Sequence, residues 1–295
     1  MEESIIADRV MKHTVLLFYK YIAVADPVTE RESQRALCLS LDMKGRILIG
    51  GEGINATVAG TSTACAEYIE YMNAHPIFVG IEYKVDTTED MPFPRLSVKV
   101  RPEIVTLDVD IDHAETAPRL SPEEFNAMIE RDDVILFDAR NNYESAIGRF
   151  EGAITPDIKL FKDLPGALES YADLKDKTII TYCTGGIRCE KASALMRTSG
   201  FKDVYQLDGG IIKYAQAFPQ GAFKGECFVF DERMSVAFSP DAKKLGSCHF
   251  CSGATNTYLN CENPVCNDLI LICTPCRETS LLCRNCATTT QKVQV

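Results

Sequence analysis

The chain has 295 residues, 46% of them hydrophobic, and a formal net charge of −11. This size supports two or three domains and excludes a single small module, and the acidity excludes a surface that coats nucleic acid by charge alone, though not a local basic patch. No apolar run reaches the roughly 18 to 20 residues of a membrane span, and Met1-Glu-Glu-Ser lacks the basic and apolar regions of an export signal, so a cytoplasmic protein without a membrane partner is expected.

Residues 14–22 are rich in β-branched and aromatic side chains and read as a strand; beyond Pro27, Thr29 to Leu41 reads as a helix with Ala36, Leu37 and Leu39 as its apolar positions. Arg46 to Gly50 and Ile54 to Val58 flank Gly50-Gly-Glu-Gly53, a hairpin signal because glycine supplies the positive φ that such turns need. Thr61 to Asn73 reads as a second helix capped by Thr61 or Ser62. Ile81 to Val85 and Leu96 to Val100 complete a β-α-β-β-α-β order, with the last run either an added strand or an alternative for the final one. A ferredoxin-like (acylphosphatase-like) α+β domain is therefore expected over 1–112, with the acidic stretch 104–118 as the following linker.

Ser121-Pro-Glu-Glu starts a helix, after which Val134 to Asp138, Thr178 to Tyr182, Glu190 to Met196 (ending at Gly200) and Val204 to Leu207 alternate strand and helix. That alternation predicts a mainly parallel sheet with helices on its faces, a doubly wound α/β domain over 119–220. Residues 221–295 form a third, cysteine-rich region.

Reactive groups in such sheets belong at the carboxyl ends of strands, and Cys183 directly follows the apolar run ending at Tyr182. The next residues, Thr184, Gly185, Gly186, Ile187 and Arg188, lead toward a helix that begins near Cys189 or Glu190. Adjacent glycines let backbone amides converge as an anion cradle, the helix adds its positive end, and Arg188 adds a full charge, so Cys183 is expected to be a nucleophilic thiolate. A buried apolar cysteine needs neither Gly-Gly nor the arginine. Cys189 is either a resolving thiol for Cys183 or a packed residue of the first helical turn.

The loop is similar to the Cys-x-x-Gly-x-Arg active-site loop of the rhodanese sulfurtransferases, and Asp138-Ala-Arg140 with Glu144 resembles their Asp-x-Arg and Glu elements. Asp208-Gly-Gly210 matches the closing element, although the tryptophan common after it is absent. This resemblance implies that Cys183 carries sulfur as a persulfide. Gly51-Glu-Gly-Ile-Asn55, Tyr182-Cys-Thr-Gly-Gly-Ile-Arg-Cys-Glu-Lys191 and Lys224-Gly-Glu-Cys-Phe-Val-Phe-Asp231 together resemble the bacterial tRNA uridine hydroxylases over nearly the whole chain. The resemblance implies a tRNA partner, molecular oxygen as co-substrate, and formation of 5-hydroxyuridine at wobble position 34 by an enzyme that depends on the rhodanese cysteine. The alternatives are a sulfurtransferase that passes sulfur from a small-molecule donor to a thiol or RNA acceptor, and a non-catalytic scaffold for RNA or protein; a small-molecule sulfur donor or reductant is a further expected partner.

The last eight cysteines are Cys248, Cys251, Cys261, Cys266, Cys273, Cys276, Cys283 and Cys286, three of their four pairs being Cys-x-x-Cys. Eight sulfurs would satisfy two tetrahedral zinc sites, sequential or interleaved, with His249 as a substitute ligand; unligated thiols or disulfides are the alternatives. Cys227 reads as a packed linker residue or a weak active-site candidate, and Cys38 and Cys65 as core. Lys12, Lys20, Arg46, Arg95, Lys99 and Arg101 are candidates for a basic RNA-facing surface, and Glu52 and Asn55 either contact RNA or shape their turn.

Overall fold

A computed structural model of the chain describes residues 13–292. The chain divides into two compact units, Met1–Thr106 and Leu107–Val295.

In the first unit, β1 (His13–Tyr21), α1 (Pro27–Ser40), β2 (Lys44–Gly50), β3 (Gly53–Gly60), α2 (Ser62–Ala74), β4 (Lys84–Thr88) and β5 (Leu96–Val100) build a five-stranded sheet in the order β4-β1-β3-β2-β5. That is the ferredoxin-like arrangement with β5 added beside β2, parallel to it. Asp26 caps α1 through the amides of Val28 and Thr29, and Thr61 caps α2 through Ala64. Leu16, Phe18, Ile47, Ile49, Tyr68, Met72 and Phe78 fill the core. The fourth strand begins three residues later than the apolar run Ile81 to Val85 predicts, because Ile81 is spent on the core while Lys84 to Thr88 pair with β1.

In the second unit, β6 (Arg119–Leu120), α3 (Pro122–Met128), β7 (Val134–Asp138), α4 (Asn142–Ile147), β8 (Gly148–Phe150), α5 (Leu164–Leu168), β9 (Thr178–Tyr182), α6 (Ile187–Thr198), β10 (Asp203–Leu207) and α7 (Gly210–Ala217) follow in order. Strands β6-β10-β9-β7 form a parallel four-stranded sheet. The central strand β9 is Thr-Ile-Ile-Thr-Tyr, buried from Ile179 to Tyr182, as a parallel strand covered on both faces requires. Phe125, Phe150, Tyr182 and Tyr214 pack edge to face or tilted beneath it.

The stretch expected as a linker is not a free spacer at its end. Thr116 Oγ1 donates to Glu190 O, the Ala117 amide donates to Ser193 Oγ at 3.1 Å, and Ala117 is buried. This satisfies backbone groups beside a helix whose residues 188–196 are all buried.

The cysteine-rich segment continues with β11 (Phe223–Gly225), β12 (Cys227–Phe228), β13 (Ser235–Val236), β14 (Tyr258–Asn260), β15 (Leu269–Leu271), α8 (Thr274–Arg277) and α9 (Arg284–Lys292). It is joined to the α/β core: β11 pairs antiparallel with β8, and Glu226 N donates to Ile147 O at 2.9 Å. Gly148 has no room for a side chain there, since a Cβ would lie 2.2 Å from Glu226 O.

Candidate active site

Cys183 lies where β9 ends, with no exposed surface. Helix α6 starts at Ile187, earlier than the expected Cys189 or Glu190, because Gly186 takes φ 101° and lets the chain enter the helix directly from the loop. The Gly186 amide thereby points at the sulfur, donating to Cys183 Sγ at 3.1 Å. Burial pushes the Cys183 thiol up, but donation from the Cys189 thiol, the charge of Arg188 and the amides of Arg188 and Gly186 outweigh it and bring the group down to about 6. Cys189, buried in the first turn of α6, is pushed up by burial and by that same contact. Cys189 is thus packed in the first helical turn and in contact with Cys183.

The loop is held from three sides. Arg188 donates from Nη1 and Nη2 to the two carboxylate oxygens of Glu144 at 2.5 and 2.7 Å, both residues being buried. Thr184 Oγ1 donates to Glu144 Oε2 at 3.4 Å. Arg140, fully enclosed, forms a second fork with Asp138 at 2.9 and 2.6 Å and reaches Gly148 O at 2.7 Å. The start of α7 closes the third side: Ile211 N donates to Cys183 O at 2.9 Å and Ile212 N to Thr184 O at 3.1 Å. Thus Cys183, Thr184, Gly185, Gly186, Ile187, Arg188 and Cys189 form one cradle, with Asp138, Arg140 and Glu144 as its frame. The forks of Arg188 are occupied by Glu144, so it acts on Cys183 as a nearby charge.

Cys227 is packed, as one of its two sequence readings has it, whereas the contacts of two phenylalanines beside it escaped the sequence. Cys227 is buried in the core with Phe150 and Tyr182, and burial pushes its thiol up to about 12, which fits packing rather than reactivity. Phe228 packs edge to face on Tyr143, Phe230 and Tyr258. Phe230 then places its ring 5.7 Å from the Arg188 guanidinium carbon. The Lys224 to Asp231 motif contains both phenylalanines but does not reveal their contacts, since Tyr143, Arg188 and Tyr258 lie about 30 to 85 positions away.

The eight tail cysteines gather as two interleaved groups, Cys248 with Cys251, Cys273 and Cys276, and Cys261 with Cys266, Cys283 and Cys286; within each group the sulfurs lie within 4.8 Å of one another. Two of the sulfur pairs, Cys251 with Cys273 at 3.6 Å and Cys266 with Cys283 at 3.7 Å, match the spacing of about 3.8 Å expected for tetrahedral thiolates about 2.3 Å from one ion. Amides of Cys273 and Cys283 donate to Cys248 Sγ and Cys261 Sγ, as metal-bound thiolates favour. Each group could hold a metal ion. His249 belongs to neither, because its Nε2 accepts from Arg284 N at 3.1 Å.

In the first unit, Lys12 lies outside the described residues. Lys20 donates to Ile77 O and Val79 O, which removes it from a free basic face, while Arg46, Arg95, Lys99 and Arg101 are exposed. Asn55 Nδ2 donates to Ile104 O at 2.8 Å and Glu52 accepts from Ile104 N at 2.7 Å, so both residues shape the turn. Cys38 and Cys65 are core residues whose thiols burial pushes up to about 12 and about 11.

The strand order and the cysteine loop together define a rhodanese-like α/β unit, and the family described as Rhodanese-like domain matches residues 121–217. The families UPF0176 acylphosphatase like domain and Rhodanase C-terminal match residues 13–104 and 224–292. A tRNA uridine(34) hydroxylase of Corynebacterium urealyticum is 44% identical over 285 residues, covering 92% of this chain and 96% of its own. Proteins of the same name from Cytophaga hutchinsonii (43%, covering 90% of this chain and 86% of its own) and an Arthrobacter species (45%, 89% and 93%) are similarly related. The chain belongs to the tRNA uridine(34) hydroxylase family.

Proposed function

We propose that this chain hydroxylates C5 of uridine 34 in tRNA, giving 5-hydroxyuridine, with the thiolate of Cys183 as the nucleophile. The observation that carries this reading is the Cys183 loop: a buried thiol brought down to about 6, in a chain whose relatives along some nine-tenths of its length bear the name of that activity.

Carbon 6 of uracil is electrophilic, and addition of the thiolate there makes C5 electron-rich. Dioxygen supplies one atom to C5; the other leaves as water with two electrons and two protons from a small-molecule reductant. Loss of the C5 proton and release of the thiolate then restore the ring. The amides of Gly186 and Arg188 hold the sulfur's charge before attack and receive it again on release, with Arg188 as fixed positive charge. Glu144 keeps that arginine in place, and Thr184 and Cys189 complete the cradle. Because Cys183 has no exposed surface, the ring reaches it only as covering side chains move aside. A Cys183 persulfide would present the same nucleophilic position one sulfur further out.

The two four-cysteine groups are proposed to hold one zinc ion each, which would tie the tail to itself as a structural element. Among the described residues no helix is long and apolar enough to cross a membrane. The cytoplasm, where tRNA is available, is the compartment this reading implies.

The test is a comparison of tRNA nucleosides by mass spectrometry from cells with the native chain, with Cys183→Ala, and without the protein. 5-Hydroxyuridine is expected only with the native chain. Its persistence in the Cys183→Ala cells would remove the assignment, and loss of a thiouridine in its place would favour sulfur transfer.

A further inference from the structure

A base held in the loop of a tRNA needs something flat to lie on, and enzymes that work on single nucleotides supply it with aromatic rings. Most aromatic side chains of the second unit are spent on packing. Among its described residues, Phe230 is the most exposed phenylalanine or tyrosine, with 45% of its surface open to solvent.

Its exposure is not that of a loose chain end. The Val229 amide donates to Met234 O at 3.1 Å and the Met234 amide to Asp231 O at 3.0 Å, closing a tight turn around Phe230. Arg233 locks the turn with two bonds to the Asp231 carboxylate, at 2.9 and 2.7 Å. Behind it, Phe228 meets the Phe230 ring edge to face at 5.2 Å and is wedged against Tyr143 and Tyr258. Tyr258 in turn donates to Tyr143 O, at the start of α4, which also carries Glu144. The ring is thus fixed, apolar and open to solvent, and it sits beside the arginine of the cysteine loop. The packing on Phe228 holds the ring in place but leaves much of its surface open, and a ring fixed with an open surface is ready for a partner.

We propose that Phe230 is the stacking platform for the target base, so that an unpaired pyrimidine of the tRNA anticodon loop lies against its exposed ring, beside Arg188 of the Cys183 loop. The proposal rests on the tRNA reading above and assigns the base-positioning role to the C-terminal segment. Phe230 is a positioning residue. The frame around Cys183 is complete without it.

The test uses the full chain with Phe230→Ala, Phe230→Leu and Phe230→Tyr on tRNA that lacks the position 34 modification. Stacking predicts that kcat/KM falls about tenfold or more for Phe230→Ala and Phe230→Leu, while Phe230→Tyr stays within about threefold of the native chain. The pH dependence of Cys183 alkylation should not move in any of them, while the melting temperature falls modestly and about equally for Phe230→Ala and Phe230→Leu, because both lose the ring's packing on Phe228. A native rate in Phe230→Ala, or full rescue by Phe230→Leu, would overturn the proposal. If the native chain itself forms no 5-hydroxyuridine, the functional reading fails separately. Binding of an anticodon stem-loop RNA to the native chain and to Phe230→Ala then decides the platform: about tenfold weaker binding upholds it, and equal binding removes it.

Discussion

Glu144 and Arg188, 44 positions apart, meet as a buried two-pronged ion pair that orients the arginine of the cysteine loop. Removing one partner leaves the other charge enclosed and uncompensated, which is far worse than never having buried the pair. Glu144→Ala should therefore destabilise the protein by about 3 to 5 kcal/mol, measured by chemical denaturation. Glu144→Gln, which retains a single acceptor for Arg188, should lose less. Equal stability of Glu144→Ala and the native chain would show that the pair is not closed in solution.

The second prediction concerns acidity. Cys183 sits at about 6 against an ordinary value of 9.0, so at neutral pH it is mostly thiolate, and its alkylation by iodoacetamide should fall tenfold per unit as the medium is acidified below 6. The sign for stability follows: a depressed group contributes fully above its unfolded value, so this contribution grows as pH rises from 6 to 9 and is lost as pH falls through 6. Cys189→Ala removes a donor to the thiolate and should move the alkylation inflection upward, while Cys189→Ser keeps a donor and should move it less. An unmoved inflection in Cys189→Ala would remove Cys189 from the cradle.

Gly210 supports the loop from α7. Its φ is 66°, and a Cβ there would lie 2.4 Å from Cys183 O and 2.8 Å from both Gly186 N and Thr184 O. Gly210→Ala must strain the backbone and push the cradle apart, at a cost of about 1 to 3 kcal/mol. Hydroxylation should fall more than stability does, because the displaced atoms belong to the cysteine loop. Nucleoside analysis beside a melting curve reads both effects, and a fully active Gly210→Ala enzyme would contradict the contact.

Metal content tests the interleaved cysteines. Freshly reduced protein should contain two zinc ions per chain, one for each four-sulfur group. Cys251→Ser with Cys276→Ser should lower the content to one, and so should Cys266→Ser with Cys286→Ser, because each double change strikes a single group. Sequential sites would behave otherwise: each of these double changes would then damage both ions. Elemental analysis distinguishes the two patterns.

Much of the α/β architecture was legible because its signals are local. The Gly50 to Gly53 turn, the Thr61 cap and the apolar run into Tyr182 each act over a few residues, and the observed elements follow them closely. Misplacements came where a residue's partner is remote. Ile81 is apolar enough for a strand but packs in the core, and the expected linker ends with Thr116 and Ala117 hydrogen-bonded to α6.

The same division runs through the candidate site. By itself the sequence determined that Cys183 stands at a strand end before a Gly-Gly turn and an arginine, and that eight cysteines recur at metal-binding spacing, because backbone conformation and ligand spacing are short-range properties. Only the tertiary structure decided that Glu144 occupies Arg188, that Cys189 touches Cys183, that the cysteines interleave, and that Phe230 stands beside the loop. Those are contacts between residues whose proximity depends on how whole elements pack, and no short window of sequence carries that information.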